Sequence, residues 1–191
     1  MGDALTDQMP SEVLRTEHQV ILRVIGVLQQ LVIRSEQGKG FEKESLRRCV
    51  EFFRHFADAC HHAKEEDLLF PALEARGMPR EGGPIGVMLY EHTLARGFTK
   101  SMGEALDACD QGDAGGEGRF REAAKEYIEL LTDHIGKEDN CLFPMGDNVL
   151  SDNDQQSLCG KFCEVGCRTF GGRSRDQLAS IADELEAQWS K

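Results

Sequence analysis

The chain has 191 residues, 40% of them hydrophobic, with 34 acidic against 22 basic side chains and a formal net charge of −12. That length closes one core with room for an appendage, and the acidic excess repels phosphate backbones and anionic lipid, which argues against nucleic-acid and membrane partners. Seven cysteines, odd in number and irregular in spacing, read as free thiols of a reducing compartment, and no apolar run reaches the roughly eighteen residues of a membrane span, so a cytoplasmic protein is expected.

Residues 1–9 read as a flexible polar leader without the basic and apolar regions of a signal peptide. Met1-Gly2 with Thr6 satisfies the bare myristoylation pattern, but Asp3 is a poor neighbour for it. Pro10-Ser11 opens the first helix, with Ser11 as N-cap and Leu14, Ile21, Leu22, Ile25 and Val32 sharing a face with His18. A second helix starts near Phe41, turns Leu46, Cys49, Val50, Phe53, Phe56, Ala57 and Cys60 inward, and runs to Gly77 with a bend at Pro71. Gly82-Gly83-Pro84 begins the third, which carries Ile85, Met88, Leu89, Ala95 and Leu106 on the side of His92 and ends in the loose segment Gly112 to Gly118. The fourth has the cleanest stripe: Ala123, Tyr127, Leu130, Leu131, His134, Glu138 and Cys141. Beyond Pro144, Leu150-Ser151-Asp152 starts a short fifth helix to about Val165, and Ser174 introduces a sixth that ends at Trp189.

Two stretches repeat. His61 to Leu73 reads HHAKEEDLLFPAL and His134 to Met145 reads HIGKEDNCLFPM. In each, a Glu follows the His by four residues and Leu-Phe-Pro begins eight residues after it, and His61, Glu65 and Leu69 map onto His134, Glu138 and Leu142 at a constant offset of 73. On a helix, positions i and i+4 share a face, which aims an imidazole and a carboxylate at one ion. Upstream of each copy stands a lone His in similar surroundings, Glu17-His18 and Glu91-His92, at an offset of 74. The chain is a tandem repeat of a helical hairpin.

In this order, H, HxxxE, H, HxxxE with LFP after each pair, the sequence resembles the hemerythrin-like (HHE) cation-binding family over residues 10–146. The resemblance implies an all-α fold, an up-down-up-down four-helix bundle holding two non-haem irons, to which residues 147–191 add a helical hairpin packed on the outside.

A carboxylate buried in such a core must be paired, protonated or ligated, and four imidazoles with two carboxylates can serve two ions. His18, His61, His92 and His134 are expected as terminal ligands and Glu65 and Glu138 as bridges; a shared oxo or hydroxo group then leaves one position open on each metal. Mixed imidazole and carboxylate suits iron or manganese better than structural zinc or magnesium, and the family implies iron.

The doubled histidine poses a register question, because His62 and Glu66 are also four apart. At 100° per residue the apolar face lies about 70° from His61 and about 170° from His62, so His62 is expected at the surface or behind the metal ligands, with His55 on the same outward face. Where the oxygen-carrying members have a further His one turn past the third-helix His, this chain has Arg96, which cannot ligate and which can pair with Asp58 or extend outward. Reversible oxygen carriage is therefore not expected. Tyr127 is read as a core residue rather than a partner of the bridging oxygens, and Cys159, Cys163 and Cys167, four apart, as packing residues rather than a thiolate site.

The function expected is binding of O2, NO or peroxide at an open metal position, as sensor or scavenger. The alternatives are an iron-dependent peroxidase or NO reductase, for which no flavin or nicotinamide fingerprint supplies electrons, and iron storage, delivery or iron-centre repair. The family's repair proteins usually carry an N-terminal cysteine-bearing extension, which this sequence does not show.

Overall fold

A computed structural model describes residues 8–189; the myristoylation pattern and most of the leader lie outside the described residues. Apart from one two-residue β-hairpin the described chain is all-α. Helix α1 spans Pro10–Glu36, α2 Lys43–Phe52 and α3 Phe70–Ala75, and between α2 and α3 the backbone stays helical through two π-helical segments, Phe53–His62 and Glu65–Leu69. Helix α4 spans Pro84–Asp110 and α5 Gly116–Lys137, the latter continued by a π segment, Glu138–Leu142, into α6, Phe143–Val149. Helix α7 is Asp152–Gly166, strands β1 Thr169–Phe170 and β2 Arg173–Ser174 pair antiparallel, and α8 is Arg175–Trp189.

Ser11 is not the cap of α1. Pro10 takes the first helical turn, where its missing N–H costs nothing, so Met9 precedes the helix while buried Ser11 donates from Oγ to Asp147 Oδ2 at 3.0 Å. Ser151 does cap α7, in a box with Asp154: the Asp154 amide donates to Ser151 Oγ and the Ser151 amide to Asp154 Oδ2. The fifth helix is followed not by a plain break but by the hairpin, whose turn residues Gly171 and Gly172 sit at φ 59° and 80°, a conformation that favours glycine. A Cβ at Gly171 would lie 2.6 Å from the His55 ring, so this turn packs against His55 and leaves it half-buried.

The apolar interior comes in two clusters. The larger takes Ile21, Leu28, Phe52, Phe53, Phe56, Met102, Leu106, Phe120, Tyr127 and Ile135; the smaller takes Leu14, Leu69, Phe70, Leu73, Ile85, Met88, Leu142 and Phe143. Along each of the four long helical runs the chain crosses from one cluster to the other through a buried polar residue: His18 between Leu14 and Ile21, His92 between Met88 and Ala95, His61 and Glu65 between Cys60 and Leu69, Glu138 between Ile135 and Leu142. The C-terminal segment joins both, with Leu178, Ile181 and Leu185 in the larger and Leu158 and Phe162 in the smaller. Trp189 Nε1 donates to Ser45 Oγ at 3.1 Å. Among the described residues no helix is long and apolar enough to cross a membrane.

Candidate metal centre

Each Leu-Phe-Pro triplet has a structural consequence. Proline lacks an N–H and its ring collides with the carbonyl four residues back, so a regular α-helix cannot run through it unaltered. Here the turn before each proline widens: the amide of Phe70 donates to the carbonyl of Glu65, and that of Phe143 to Glu138, five residues back. Glu65 and Glu138 are each the first residue of a π turn, a local distortion that recurs at functional sites.

All six residues named from the repeat converge in the polar layer, each no more than 1% exposed. His18 Nε2 lies 3.2 Å from Glu138 Oε2, and His134 Nε2 lies 3.3 Å from the same oxygen. His61 Nε2 lies 3.4 Å from Glu65 Oε1, and His92 Nε2 lies 3.4 Å from Glu65 Oε2. Two groups of four potential donors result, His18, His61, Glu65 and Glu138, and His62, Glu65, His92 and His134, with the atoms of each group within 4.8 Å of one another. Glu65 belongs to both.

The second nitrogen of each of those four imidazoles meets a carboxylate. His61 Nδ1 is 3.1 Å from Glu17 Oε2 and His134 Nδ1 is 2.9 Å from Glu91 Oε2. His18 Nδ1 is 2.9 Å from Asp139 Oδ1 and His92 Nδ1 is 2.7 Å from Glu66 Oε1. Behind them, Lys64 donates to Glu17 and Lys137 to Glu91, and Arg175 adds a 3.0 Å hydrogen bond to Glu17. The outer residues obey the same repeat as the inner ones. Glu17 pairs with Glu91 in the pattern, Lys64 with Lys137, and Glu66 with Asp139. Such partners orient each ring so that Nε2 faces the centre, where His92 Nε2 and His134 Nε2 lie within hydrogen-bond distance at 3.1 Å.

The centre of the layer holds polar atoms without partners. Both oxygens of Glu65, both of Glu138 and Nε2 of His18 are buried with no hydrogen-bond partner, a costly state for carboxylates in a protein interior. Burial and the neighbouring Glu138 carboxylate push the Glu65 carboxyl well above its ordinary range. Glu138 is held well below it, because His134 and His18 outweigh the same burial. Burial lowers His61 to about 4, whereas at His134 the charges of Glu138 and Glu91 overcome burial and raise it to about 9. Farther out, burial acts to raise Glu17, but hydrogen bonding and charge from His61 and Lys64 bring it down to about 2. Imidazole nitrogens gathered around carboxylate oxygens that lack hydrogen-bond partners form a donor set fitted to a cation.

His62 departs from the expectation of a surface position. Its side chain is 2% exposed and joins the second donor group, its ring stacked on His92 at 3.8 Å between centroids with 15° between planes. The reason is the π-helical stretch Phe53–His62, whose wider turns make the α-helical angle of 100° per residue fail and let two successive histidines face inward. Arg96 pairs with Asp58, Nε to Oδ1 at 2.7 Å, and with Glu66 at 2.8 Å. Tyr127 is a core residue, its ring 4.6 Å from that of Phe53. The cysteine stripe does not serve as packing: Cys163 and Cys167 are exposed, and half-buried Cys159 donates to the carbonyl of Gln8. Among the described residues no cysteine joins a metal-holding group.

Comparison with known proteins agrees with this geometry. Over 139 residues the chain is 32% identical to the iron-sulfur cluster repair protein YtfE of Edwardsiella ictaluri, covering 68% of this chain and 60% of that one. Over 92 residues it is 37% identical to the YtfE of Musicola paradisiaca, covering 44% and 39%. An uncharacterized protein of Mycobacterium tuberculosis is 24% identical over 177 residues, covering 93% of this chain and 68% of the relative. The chain thus spans between about two fifths and three fifths of the repair proteins it resembles. Residues 9–146 match the hemerythrin HHE cation-binding domain, and the chain belongs to that family.

Proposed function

We propose that this chain is a cytoplasmic non-haem di-iron protein that binds a small ligand, O2, NO or peroxide, at an open metal position and serves as its sensor or scavenger. Residues 10–146 form an up-down-up-down four-helix bundle, with 147–191 as a helical extension. His18 and His61 would hold one ion and His92 and His134 the other, with Glu65 and Glu138 shared between them. The observation that carries the reading is the pair of four-donor groups sharing Glu65, with both bridging carboxylates lacking any other partner. Two iron ions held there supply electrons and vacant positions to a small ligand. The protein's own part is to orient the imidazoles through Glu17, Glu66, Glu91 and Asp139, and to exclude water from the layer with Phe70, Phe143 and Tyr127.

Metal analysis tests this. The wild-type chain is expected to carry two irons and Glu65→Ala/Glu138→Ala to lose both; two irons retained in the double variant would sink the assignment. A second reading, iron delivery to damaged iron centres, is favoured by the likeness to proteins named for iron-sulfur cluster repair. It requires iron to leave during function. Iron counted over successive oxidation and reduction cycles in the presence of a chelator separates the two, since a ligand-binding site retains its metal.

A further inference from the structure

The repeat that builds the centre is kept at the donors and at the carboxylates behind them, yet it breaks along one wall. At the positions of Ala95, Arg96 and Thr99 in α4, helix α1 has Ile21, Leu22 and Ile25; at the positions of Asp58 and His62 in the second helix, α5 has Leu131 and Ile135. One half of the molecule closes its side of the layer with five branched aliphatic residues, four of them buried. The other half puts an alanine and four polar residues there instead. Where it did so there is a cleft of about 350 Å³, lined by all five of the replacing residues.

The cleft has a definite chemistry. Arg54, Arg96 and Lys100 line it with the acid Asp58; Arg96 is held by Asp58 and Glu66 and Lys100 lies 3.8 Å from Glu104, which leaves Arg54 as the cation of the lining without an ion pair among the described residues. His62 stands at its inner end. The imidazole is almost wholly buried, its Nδ1 has no hydrogen-bond partner, and the nearest acid oxygen, Asp58 Oδ1, is 3.4 Å away. Its ring lies nearly parallel to that of His92, and that stacking leaves Nδ1 without a partner. His62 is therefore free to hydrogen-bond to something in the cleft.

We propose that this cleft is the one-sided entrance and holding site for a small anion approaching the His92–His134 side of the centre, with His62 and Arg96 as its contact residues. The proposal rests on the metal reading above. Azide is the probe, and its rate of association with the iron-loaded protein, followed by the change in absorbance, is the measurement.

Ala95→Ile/Thr99→Ile refills the cleft with the residues of the other half and is expected to slow azide association about tenfold or more. Arg96→Leu, at a partly exposed position that tolerates change, is expected to slow it by about tenfold at low ionic strength and to flatten its salt dependence. His62→Ile is expected to speed azide release. Iron content should stay at the wild-type value in Ala95→Ile/Thr99→Ile, and rates in all three are compared per iron bound. Iron-loaded variants that take up and release azide at wild-type rates overturn the entrance while leaving the metal reading intact. A wild-type chain that binds no iron overturns both.

Discussion

Each of the four imidazoles that face Glu65 and Glu138 with one nitrogen gives the other to an acid, and those acids differ in what stands behind them. Glu17 is fully buried and holds Lys64, itself 1% exposed. Glu91 holds Lys137, whose side chain is 42% exposed. Glu17→Gln leaves a buried ammonium with no counter-charge and is expected to cost the metal-free protein about 3 kcal/mol. Glu91→Gln leaves a solvated one and should cost less than about 1 kcal/mol. Both should weaken metal binding by about 10- to 100-fold, because each frees a ring that the acid had oriented. Urea unfolding of the metal-free variants and competition with a chelator check the two effects separately; equal stability losses would contradict the burial argument. The six inner residues were legible from spacing alone. The outer acids and lysines were equally available, since Glu17, Lys64 and Glu66 repeat as Glu91, Lys137 and Asp139. His62 was not, because an angle per residue assumes the helix type it is meant to test.

At the scale of the helix, the two prolines decide where Glu65 and Glu138 point. Glu65 and Glu138 open π turns that end immediately before Phe70-Pro71 and Phe143-Pro144. With Pro144→Ala the turn can close to an ordinary α turn, rotating Glu138 away from His18. The metal-free variant is expected to melt no lower than wild type, since a hydrogen bond becomes available, while its metal affinity falls about tenfold or more. Calorimetry of the metal-free form and metal titration read the two changes, and unchanged affinity would mean that the π turn follows from the site rather than making it. The sequence marked Pro71 as a bend and Leu-Phe-Pro as a register mark. It did not reveal the widened turns, because hydrophobic periodicity averages over them, nor the β1–β2 hairpin, whose two-residue strands are too short to alternate.

Across the whole molecule, the polar layer is sealed by an apolar cluster on each side, and the C-terminal segment contributes to both. Leu158, Phe162, Leu178, Ile181 and Leu185 are each at most 3% exposed. At about 2 kcal/mol for each buried side chain their loss would consume the net stability of an ordinary domain. A chain ended at residue 150 is therefore expected to lose its cooperative melt in calorimetry or circular dichroism; a transition like that of the full chain would show the segment to be a mere attachment. The repeat could not reveal this, since residues 147–191 have no counterpart in it and the contact with α1 and α2 is long-range.

The grip on His18 comes from Asp139 and the grip on His92 from Glu66, so each hairpin borrows an acid from its twin. Half of this protein on its own could not complete even one of its binding shells, and would have to pair with another molecule of itself to do so. The two halves stay alike at the inner donors and the acids behind them and differ along the wall of the cleft.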